Sequence, residues 1–413
     1  MGIVIGRPEA SPAIGCFLAR IRFGSGIEEG KTMNKSWPKV KLGEILSRTG
    51  EFITPDPSRE YSEITVKLWG KGVTERGRVS GGSMNGKRFV AKAGNFIASR
   101  IDARNGAMGL VPDSLDGALV TNDFPLFETN RQRLDLPFLD WLTKTRDFVD
   151  LCLRASEGTT NRVRLKEDRF FALEIPLPPL AEQRRIVARI EQLAEQIHEA
   201  KRLRKEAEEE AEGMMRSIIL HDKNAEMTPM RSLVRMRQTD VVVQRDETYQ
   251  FAGVYCFGRG VFRAGLKTGM DFAYPRLTRL RAGEFVYPKL MAWEVALGVV
   301  PPECEGCVVS PEFPVFEIDE DIVFSEVLDI YFRNPTIWPE LSGVSSGTNV
   351  RRRRLNPKEF LDYKMPVPSR ETQITLRNAK AEVDALKILQ AETSAELDAL
   401  LPAILDRAFK GEL

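Results

Sequence analysis

The sequence predicts a mixed α/β protein with two duplicated globular domains, each followed by a long helix. Three observations carry this prediction. A pattern of residues repeats at an interval of about 189 positions, heptad-spaced apolar residues follow each copy, and short β-rich runs lie between glycines and prolines. With 413 residues, 42% of them hydrophobic and 29% charged, the chain can form several packed domains.

The internal repeat is ungapped over much of each copy. The run Ala93-Gly94-Asn95-Phe96-Ile97 matches Ala282-Gly283-Glu284-Phe285-Val286 at an offset of 189, and 124–128 matches 313–317 in the same frame. Upstream, Gly70-Lys71-Gly72-Val73 matches Gly258-Arg259-Gly260-Val261 at an offset of 188. Self-similarity at a fixed interval predicts a duplication.

Within the copies, β-rich runs such as 251–255 and 308–318 stand between dense glycines and prolines. They predict α+β domains with long loops. Each copy ends in a proline-punctuated segment, at 175–178 and at 365–368. Because proline lacks a backbone donor and disfavours helix in the residue before it, these segments should end each domain and introduce a helix.

Two heptad stripes follow these segments. The first comprises Ile186, Ile190, Leu193, Ile197, Ala200, Arg204, Ala207, Ala211, Met214 and Ile218. The second comprises Leu376, Ala379, Val383, Leu386, Gln390, Thr393, Leu397, Leu400 and Ile404. Each stripe is too narrow to be buried alone, so we expect the two helices to pack on each other. The alternative is that each helix packs only on its own globular domain.

Composition excludes little. Lys+Arg 60 and Asp+Glu 59 give a formal net charge of +1, so any DNA contact must come from local basic patches. We expect a cytoplasmic protein, since no stretch has the roughly 18 to 20 apolar residues of a membrane helix. Cys304 and Cys307 form the only CxxC pair, without further ligands at zinc-site spacing, and we expect thiols rather than a metal site.

Catalytic motifs are lacking. The sequence contains no Asn-Pro-Pro-aromatic or Asp-Pro-Pro-aromatic motif for amino-group methylation, and only two histidines, His198 and His221. The segment 81–88 resembles a P-loop but has Arg88 where Ser or Thr must bind magnesium. We interpret it as a glycine-rich basic loop that can approach phosphates.

Two motifs carry a resemblance to a known family. The segment Pro176-Leu177-Pro178-Pro179-Leu180-Ala181-Glu182-Gln183-Arg184-Arg185-Ile186 begins the first helix, and Leu401-Pro402-Ala403-Ile404-Leu405-Asp406-Arg407-Ala408-Phe409-Lys410-Gly411-Glu412-Leu413 ends the chain. Together with the duplication, they make the chain from Met33 onward similar to the specificity subunit of type I restriction-modification systems. The second copy departs from the motif, with Ser369-Arg370-Glu371-Thr372-Gln373 in place of 179–183.

The resemblance implies a fold and a division of labour. Two α+β target recognition domains would be separated by two long helices that pair as an antiparallel coiled coil, a ruler between the halves of a bipartite, asymmetric DNA site. The chain would be non-catalytic and bind no cofactor itself. It would scaffold two modification (methyltransferase) subunits and the restriction (helicase-nuclease) subunits, which would carry S-adenosylmethionine, ATP and Mg²⁺.

The corresponding domain limits are 33–177 and 223–366 for the recognition domains, and 178–222 and 367–413 for the helices. Residues 1–32 have no counterpart before the second copy. We interpret them as a non-domain N-terminal extension, with a short partner-binding arm as the alternative.

Candidate DNA contacts follow from side-chain chemistry, because Arg and Lys recognise guanine while Asn and Gln recognise adenine. In the first copy they are Lys71, Arg76, Arg78, Asn85, Lys87, Arg88, Thr160, Asn161 and Arg162. In the second they are Arg259, Arg263, Lys267, Asn349, Arg351, Arg352 and Arg353. For any one of these residues, the alternative is a solvated charge or a phosphate contact without specificity.

Two other function classes stay open at this point. A combined restriction-methylation enzyme can carry a similar recognition half, but its catalytic domains would need several hundred further residues. A coiled-coil structural adaptor would explain the heptads, yet it would not need two large duplicated domains. Neighbouring genes for an adenine methyltransferase and a helicase-nuclease would favour the specificity subunit over both.

Overall fold

A computed structural model describes residues 37–84, 86–158, 163–290, 292–344 and 354–413. These residues form two compact units. Unit 1 contains the described residues up to Glu195 together with Ala399–Leu413, and unit 2 contains those of Gln196–Asp398. The candidate sites Asn85, Thr160, Asn161, Arg162, Asn349, Arg351, Arg352 and Arg353, and the segment 1–32, lie outside the described residues.

Unit 1 is built from thirteen described strands and three short helices. The strands are β1 Lys39–Lys41, β2 Leu46–Thr49, β3 Glu51–Ile53, β4 Glu60–Val66, β5 Val73–Ser80, β6 Arg88–Val90, β7 Phe96–Ala98, β8 Met108–Leu110, β9 Leu119–Val120, β10 Leu126–Thr129, β11 Ser156–Glu157, β12 Arg164–Leu165 and β13 Glu174–Pro176. The helices are α1 Leu136–Thr143, α2 Arg146–Arg154 and α3 Glu167–Phe171. Four 3-10 turns lie at Leu42–Glu44, Gly81–Ser83, Ala103–Asn105 and Asp113–Leu115.

Two sheets organise unit 1. A four-stranded sheet has the order β2-β10-β7-β8, and a five-stranded sheet has the order β3-β6-β9-β4-β5. The main apolar core forms around Phe96 and Phe127 of the four-stranded sheet, with Phe138 of α1 and Phe170 of α3 packed against them. Burial of these large side chains contributes to the packing energy of the unit.

Unit 2 repeats this plan. Its strands are β14 Glu226–Pro229, β15 Val234–Met236, β16 Val241–Val242, β17 Thr248–Tyr255, β18 Gly260–Thr268, β19 Arg276–Arg279, β20 Phe285–Val286, β21 Gly298–Val299, β22 Val308–Val309, β23 Val315–Ile318 and β24 Lys364–Val367. Two long helices, α4 Leu180–His221 and α8 Arg370–Phe409, contribute residues to both units, and the short helices are α5 Ser325–Phe332, α6 Trp338–Val344 and α7 Pro357–Asp362. Five 3-10 turns lie at Met230–Ser232, Gly269–Asp271, Ala292–Glu294, Pro302–Cys304 and Pro335–Ile337.

The sheet orders of unit 2 are β15-β23-β20-β21 and β16-β19-β22-β17-β18. Each strand occupies the place of the unit 1 strand about 188 or 189 residues before it. The core is equivalent too, with Phe285 and Phe316 in the four-stranded sheet and Phe332 and Phe360 packed against them. The prediction of a mixed α/β fold with two long helices is therefore confirmed.

Both long helices begin on a buried glutamine. In unit 1, Gln183 accepts a hydrogen bond from the backbone N–H of Asp135 at 2.8 Å and donates to the carbonyls of Arg133 and Pro178 at 2.8 and 2.7 Å. In unit 2, Gln373 makes the equivalent three bonds to Phe324, Ile322 and Pro368 at 3.0 to 3.1 Å. The second helix therefore begins in the same way as the first, although four of the five residues of the motif differ.

The predicted stripe is wrong in the last turns of α4. Met214 is 62% exposed and Ile218 is exposed, while the neighbouring Met215 and Ile219 are buried. Buried Ile197 and Met215 are 18 residues apart, which is five turns of a 3.6-residue helix and not a whole number of heptads. These last turns pack on the core of unit 2, and that core determines which residues are buried.

In unit 2, polar contacts join the middle of the two helices. Lys387 of α8 lies 2.8 Å from a carboxylate oxygen of Glu208 and 2.7 Å from one of Glu212, both on α4. Lys201 of α4 forms a further ion pair with Asp398 of α8. Ala207, a residue of the first predicted stripe, is exposed, so this stretch of the stripe is not an apolar contact.

Among the described residues, no helix is long and apolar enough to span a membrane.

Candidate DNA interface

The hairpin β4–β5 places two predicted DNA contacts at the edge of the five-stranded sheet of unit 1. Strand β5 is the last strand in the sheet order. A β-bulge interrupts its pairing with β4, because Gly77 lies opposite Glu63 whereas Glu75 lies opposite Ile64. Arg76 is the extra residue of this bulge, and it is exposed. Bulges re-aim side chains and are frequent at functional sheet edges, so the backbone itself directs Arg76 away from the regular pleat.

Arg78 lies one pleat further along β5, opposite Ser62. Its side chain is 72% exposed and its Nε is 3.7 Å from a carboxylate oxygen of Glu75. An exposed ion pair at this distance contributes little energy. The guanidinium can therefore exchange Glu75 for another acceptor at small cost.

In unit 2, the equivalent edge strand is β18, and it also carries two predicted contacts. Arg263 lies opposite Ala252 and Lys267 lies opposite Tyr249, and both side chains are exposed. The ammonium of Lys267 is 5.4 Å from the ring centroid of Phe251. The pairing with β17 is also interrupted between Gln250 and Ala252, so both edge strands carry a bulge at the same place.

Lys87 and Arg88 lie elsewhere on the same sheet. Arg88 begins β6, which β9 and β4 separate from the edge strand β5. The ammonium of Lys87 lies 4.9 Å from the ring centroid of Phe52, and Arg88 is partly buried. The structure therefore does not bring Lys87 and Arg88 beside Arg76 and Arg78.

The remaining described candidates lie in the turns of the two hairpins. Lys71 is exposed between β4 and β5, and its backbone N–H bonds to the carbonyl of Leu68. Arg259 occupies the same place in unit 2, with its guanidinium 4.9 Å from the ring centroid of Tyr255. Each turn therefore carries a predicted cationic contact at an equivalent position.

Ion pairs at equivalent positions flank the segments that contain the other candidates. Arg164 lies 2.6 Å from a carboxylate oxygen of Asp123, next to 159–162. Arg354 lies 3.5 Å from one of Glu312, next to 345–353. These flanking contacts repeat between the units, although the intervening segments differ in sequence.

A cationic cluster in unit 1 is not among the predicted sites. Arg48 and Arg100 both pair with Glu167, the first at 3.5 Å, so two guanidiniums share one carboxylate. Burial lowers the pKa of Arg48, Glu167 raises it in part, and nearby Arg100 lowers it further. The three residues come from distant parts of the chain, so no local motif marks them. The repeat gives no signal for Arg48 either, because the strand register places Met236 at the equivalent position of unit 2.

The CxxC pair lies inside unit 2. The side chains of Cys304 and Cys307 are both buried, and burial raises the pKa of the Cys304 thiol to about 11. Because metal binding needs the thiolate, a thiol with this pKa is a poor ligand at neutral pH. Within the described residues, no group of three or more His, Cys, Asp or Glu side chains is arranged to hold a metal ion.

Part of the chain is similar to a known protein family. Residues 34–209 match the type I restriction modification DNA specificity domain. The matching stretch runs from before β1 into α4, so this part of the chain is similar to that specificity domain. No curated protein has a sequence significantly similar to it.

Two solved structures are similar to this chain in fold. The crystal structure of the HsdS subunit from Thermoanaerobacter tengcongensis matches with a TM-score of 0.50 and 24% identity, over 94% of this chain and 100% of that one. A structure described for complex assembly and conformational transition of the type I R-M system matches with a TM-score of 0.63 and 24% identity, over 93% and 100%.

In this chain, the two edge strands share a backbone arrangement but differ in their side chains. At an offset of 188, Arg76 aligns with Ala264 and Arg78 with Leu266. In the opposite sense, Arg263 aligns with Glu75 and Lys267 with Val79. Cations thus stand at different positions along the two edges.

Proposed function

We propose that the chain reads a bipartite, asymmetric DNA site, one half with each unit, and scaffolds the modification and restriction subunits of a type I complex. The observation that carries this proposal is the pair of edge strands. They share one backbone plan and present different cations and apolar groups. Two recognition domains that share one backbone arrangement but differ in their side chains can recognise two half-sites of different sequence.

The proposal can be tested by removing one edge-strand arginine at a time. Arg76→Ala should weaken discrimination at one half-site, and Arg263→Ala should weaken it at the other, each by about 1–3 kcal/mol, roughly 5- to 150-fold. The measurement is competition binding of the assembled methyltransferase to DNA variants in each half-site. Arg202→Ala removes an equally charged side chain from α4, where it pairs with Glu199 and Glu206, and should change neither half. Equal loss in both halves from Arg76→Ala would contradict separate readers.

Catalysis would reside in the partners. Two methyltransferase subunits would bind S-adenosylmethionine and modify one adenine in each half-site, and the restriction subunits would use ATP and Mg²⁺. The position of His221 agrees with this assignment. One nitrogen of its ring lies 2.9 Å from the carbonyl oxygen of Ser217, in the same helix, and is therefore engaged in a structural contact.

The purified chain should therefore neither methylate nor cleave DNA. The measurement is transfer of a labelled methyl group from S-adenosylmethionine to DNA, together with a plasmid-cleavage assay, with and without the partner subunits. Methyl transfer by the chain alone, at a rate comparable to that of the complex, would overturn the proposal that the chain is non-catalytic.

The two long helices would act as an antiparallel coiled coil. In unit 1, Ile186 and Ile190 from the start of α4 share a core with Leu405 and Ala408 from the end of α8. In unit 2, Met215 and Ile219 from the end of α4 share a core with Leu376 from the start of α8. These contacts support opposite directions for the two helices. We propose that the length of this coil determines the gap between the half-sites.

A further inference from the structure

The turns of the β4–β5 and β17–β18 hairpins each hold an aromatic residue in a left-handed backbone conformation. Trp69 and Phe257 both have φ of 61°, and they lie 188 residues apart at equivalent positions. Of the non-glycine residues that the structure describes, Val295 is the only other one with positive φ. A bulky residue in this region is strained, whereas glycine adopts it without strain.

The same hydrogen bonds hold both turns. In unit 1, the N–H groups of Trp69 and Gly70 bond to the carbonyls of Asn105 and Gly106 at 2.8 and 3.0 Å. In unit 2, those of Phe257 and Gly258 bond to the carbonyls of Glu294 and Val295 at the same two distances. The surrounding structure therefore imposes the strained conformation twice, and each aromatic side chain has a defined place.

Neither ring is used to fill a core. Trp69 is 68% exposed and Phe257 is 58% exposed, and the ring of Trp338 lies tilted beside Phe257 at a centroid distance of 6.1 Å. An exposed ring of this size leaves apolar surface in water that a partner could bury. We call each ring, together with the cation two residues later, Lys71 or Arg259, an aromatic tip.

At the glycine after each ring, the turn packs closely on its own unit and leaves no space for a side chain. A Cβ on Gly70 would lie 2.8 Å from Cγ of Lys144, and a Cβ on Gly258 would lie 3.0 Å from Cα of Arg333. Lys144 and Arg333 are themselves equivalent, and each pairs with an aspartate one helical turn before it, Asp140 or Asp329. The tips are thus rigid projections rather than free loop ends, which lowers the entropic cost of docking.

The comparison between units indicates what the tips bind. Residues that read DNA should differ between units, as the edge strands do, because the two half-sites differ. A strained, exposed aromatic residue followed by a cation appears in both units, so its partner should be the same on both. Resting on the proposed function, in which two identical methyltransferase subunits assemble on the chain, we propose that each aromatic tip docks one of them. The ring would enter an apolar recess, and Lys71 or Arg259 would meet a carboxylate at its rim.

The test counts partners on single-tip variants. Trp69→Gly removes the ring and relieves the backbone, so the isolated chain should unfold at an unchanged or higher temperature. The complex with purified methyltransferase subunit should then carry one such subunit instead of two by native mass spectrometry, with binding to the altered tip at least 10-fold weaker. Phe257→Gly should cause the same loss for the other subunit, and the double variant should lose both.

Two matched variants separate the ring from the backbone. Trp69→Phe installs the residue of unit 2 and should keep both partners, whereas Trp69→Asn, which tolerates the left-handed conformation, should lose one. Leu266→Ala removes an apolar side chain that is 68% exposed on β18 and should keep both. Two partners bound to Trp69→Gly at wild-type affinity would overturn the inference, and so would intact assembly with lost recognition of one half-site, since the tip would then read DNA. Absence of any partner on the wild-type chain would instead overturn the proposed function.

Discussion

Gln183→Leu should destabilise unit 1 by about 3–5 kcal/mol, because it leaves the N–H of Asp135 and the carbonyls of Arg133 and Pro178 without their partner. Gln183 is fully buried, so water cannot replace the lost bonds without opening the start of α4. The measurement is denaturant unfolding followed by a probe in unit 1. Gln192→Leu makes the same substitution at an exposed position of the same helix and should change stability by less than about 0.5 kcal/mol.

The equivalent change in unit 2 provides an internal repeat of this experiment. Gln373→Leu should cost about as much, since Gln373 makes the same three bonds. The flanking residues of the two glutamines differ, so a shared effect would assign the role to the amide itself. A loss below about 1 kcal/mol in either unit would show that the helix starts are held by other contacts.

Adding seven residues to both long helices should widen the gap between half-sites by about three base pairs while both half-site sequences stay the same. Seven residues lengthen a helix by roughly 10 Å, and each base pair rises by about 3.4 Å. The insertions would follow Arg204 in α4 and Thr393 in α8. Both points lie between the Lys201–Asp398 ion pair and the contacts of Lys387 with Glu208 and Glu212, so each group of contacts should be kept.

The control is the same insertion in one helix only. It should abolish modification, because contacts on one side of the insertion would fall out of register. Sequencing of methylated adenines in cells that carry the cognate partner subunits measures both outcomes. A fully active double-insertion complex with an unchanged gap would show that the helices do not determine the distance.

Much of the fold follows from the sequence alone. The repeat of 93–97 at 282–286 predicts two equivalent units, and the structure shows the same strand order in both. Proline-led segments followed by heptads predict two long helices, which begin at Leu180 and Arg370. These features can be predicted from the sequence because apolar periodicity, proline and glycine influence the backbone conformation of residues close to them in the chain.

The candidate site is only partly readable in this way. Charge and residue type singled out Arg76, Arg78, Arg263 and Lys267, and the structure places all four on exposed edge strands. Their role in reading DNA stays a prediction. Lys87 and Arg88, which are close to them in sequence, lie on a different part of the sheet, since strand order is determined by pairing between distant segments.

Sequence by itself determined the internal repeat, the two long helices and which cations are candidates for DNA contact, because these depend on local chemistry and spacing. Only the tertiary structure decided that Met215 rather than Met214 is buried, that Arg48 and Arg100 share Glu167, and that Trp69 and Phe257 stand exposed in a strained conformation. Each of these depends on which distant segments pack together, and burial and strain arise from those non-local contacts.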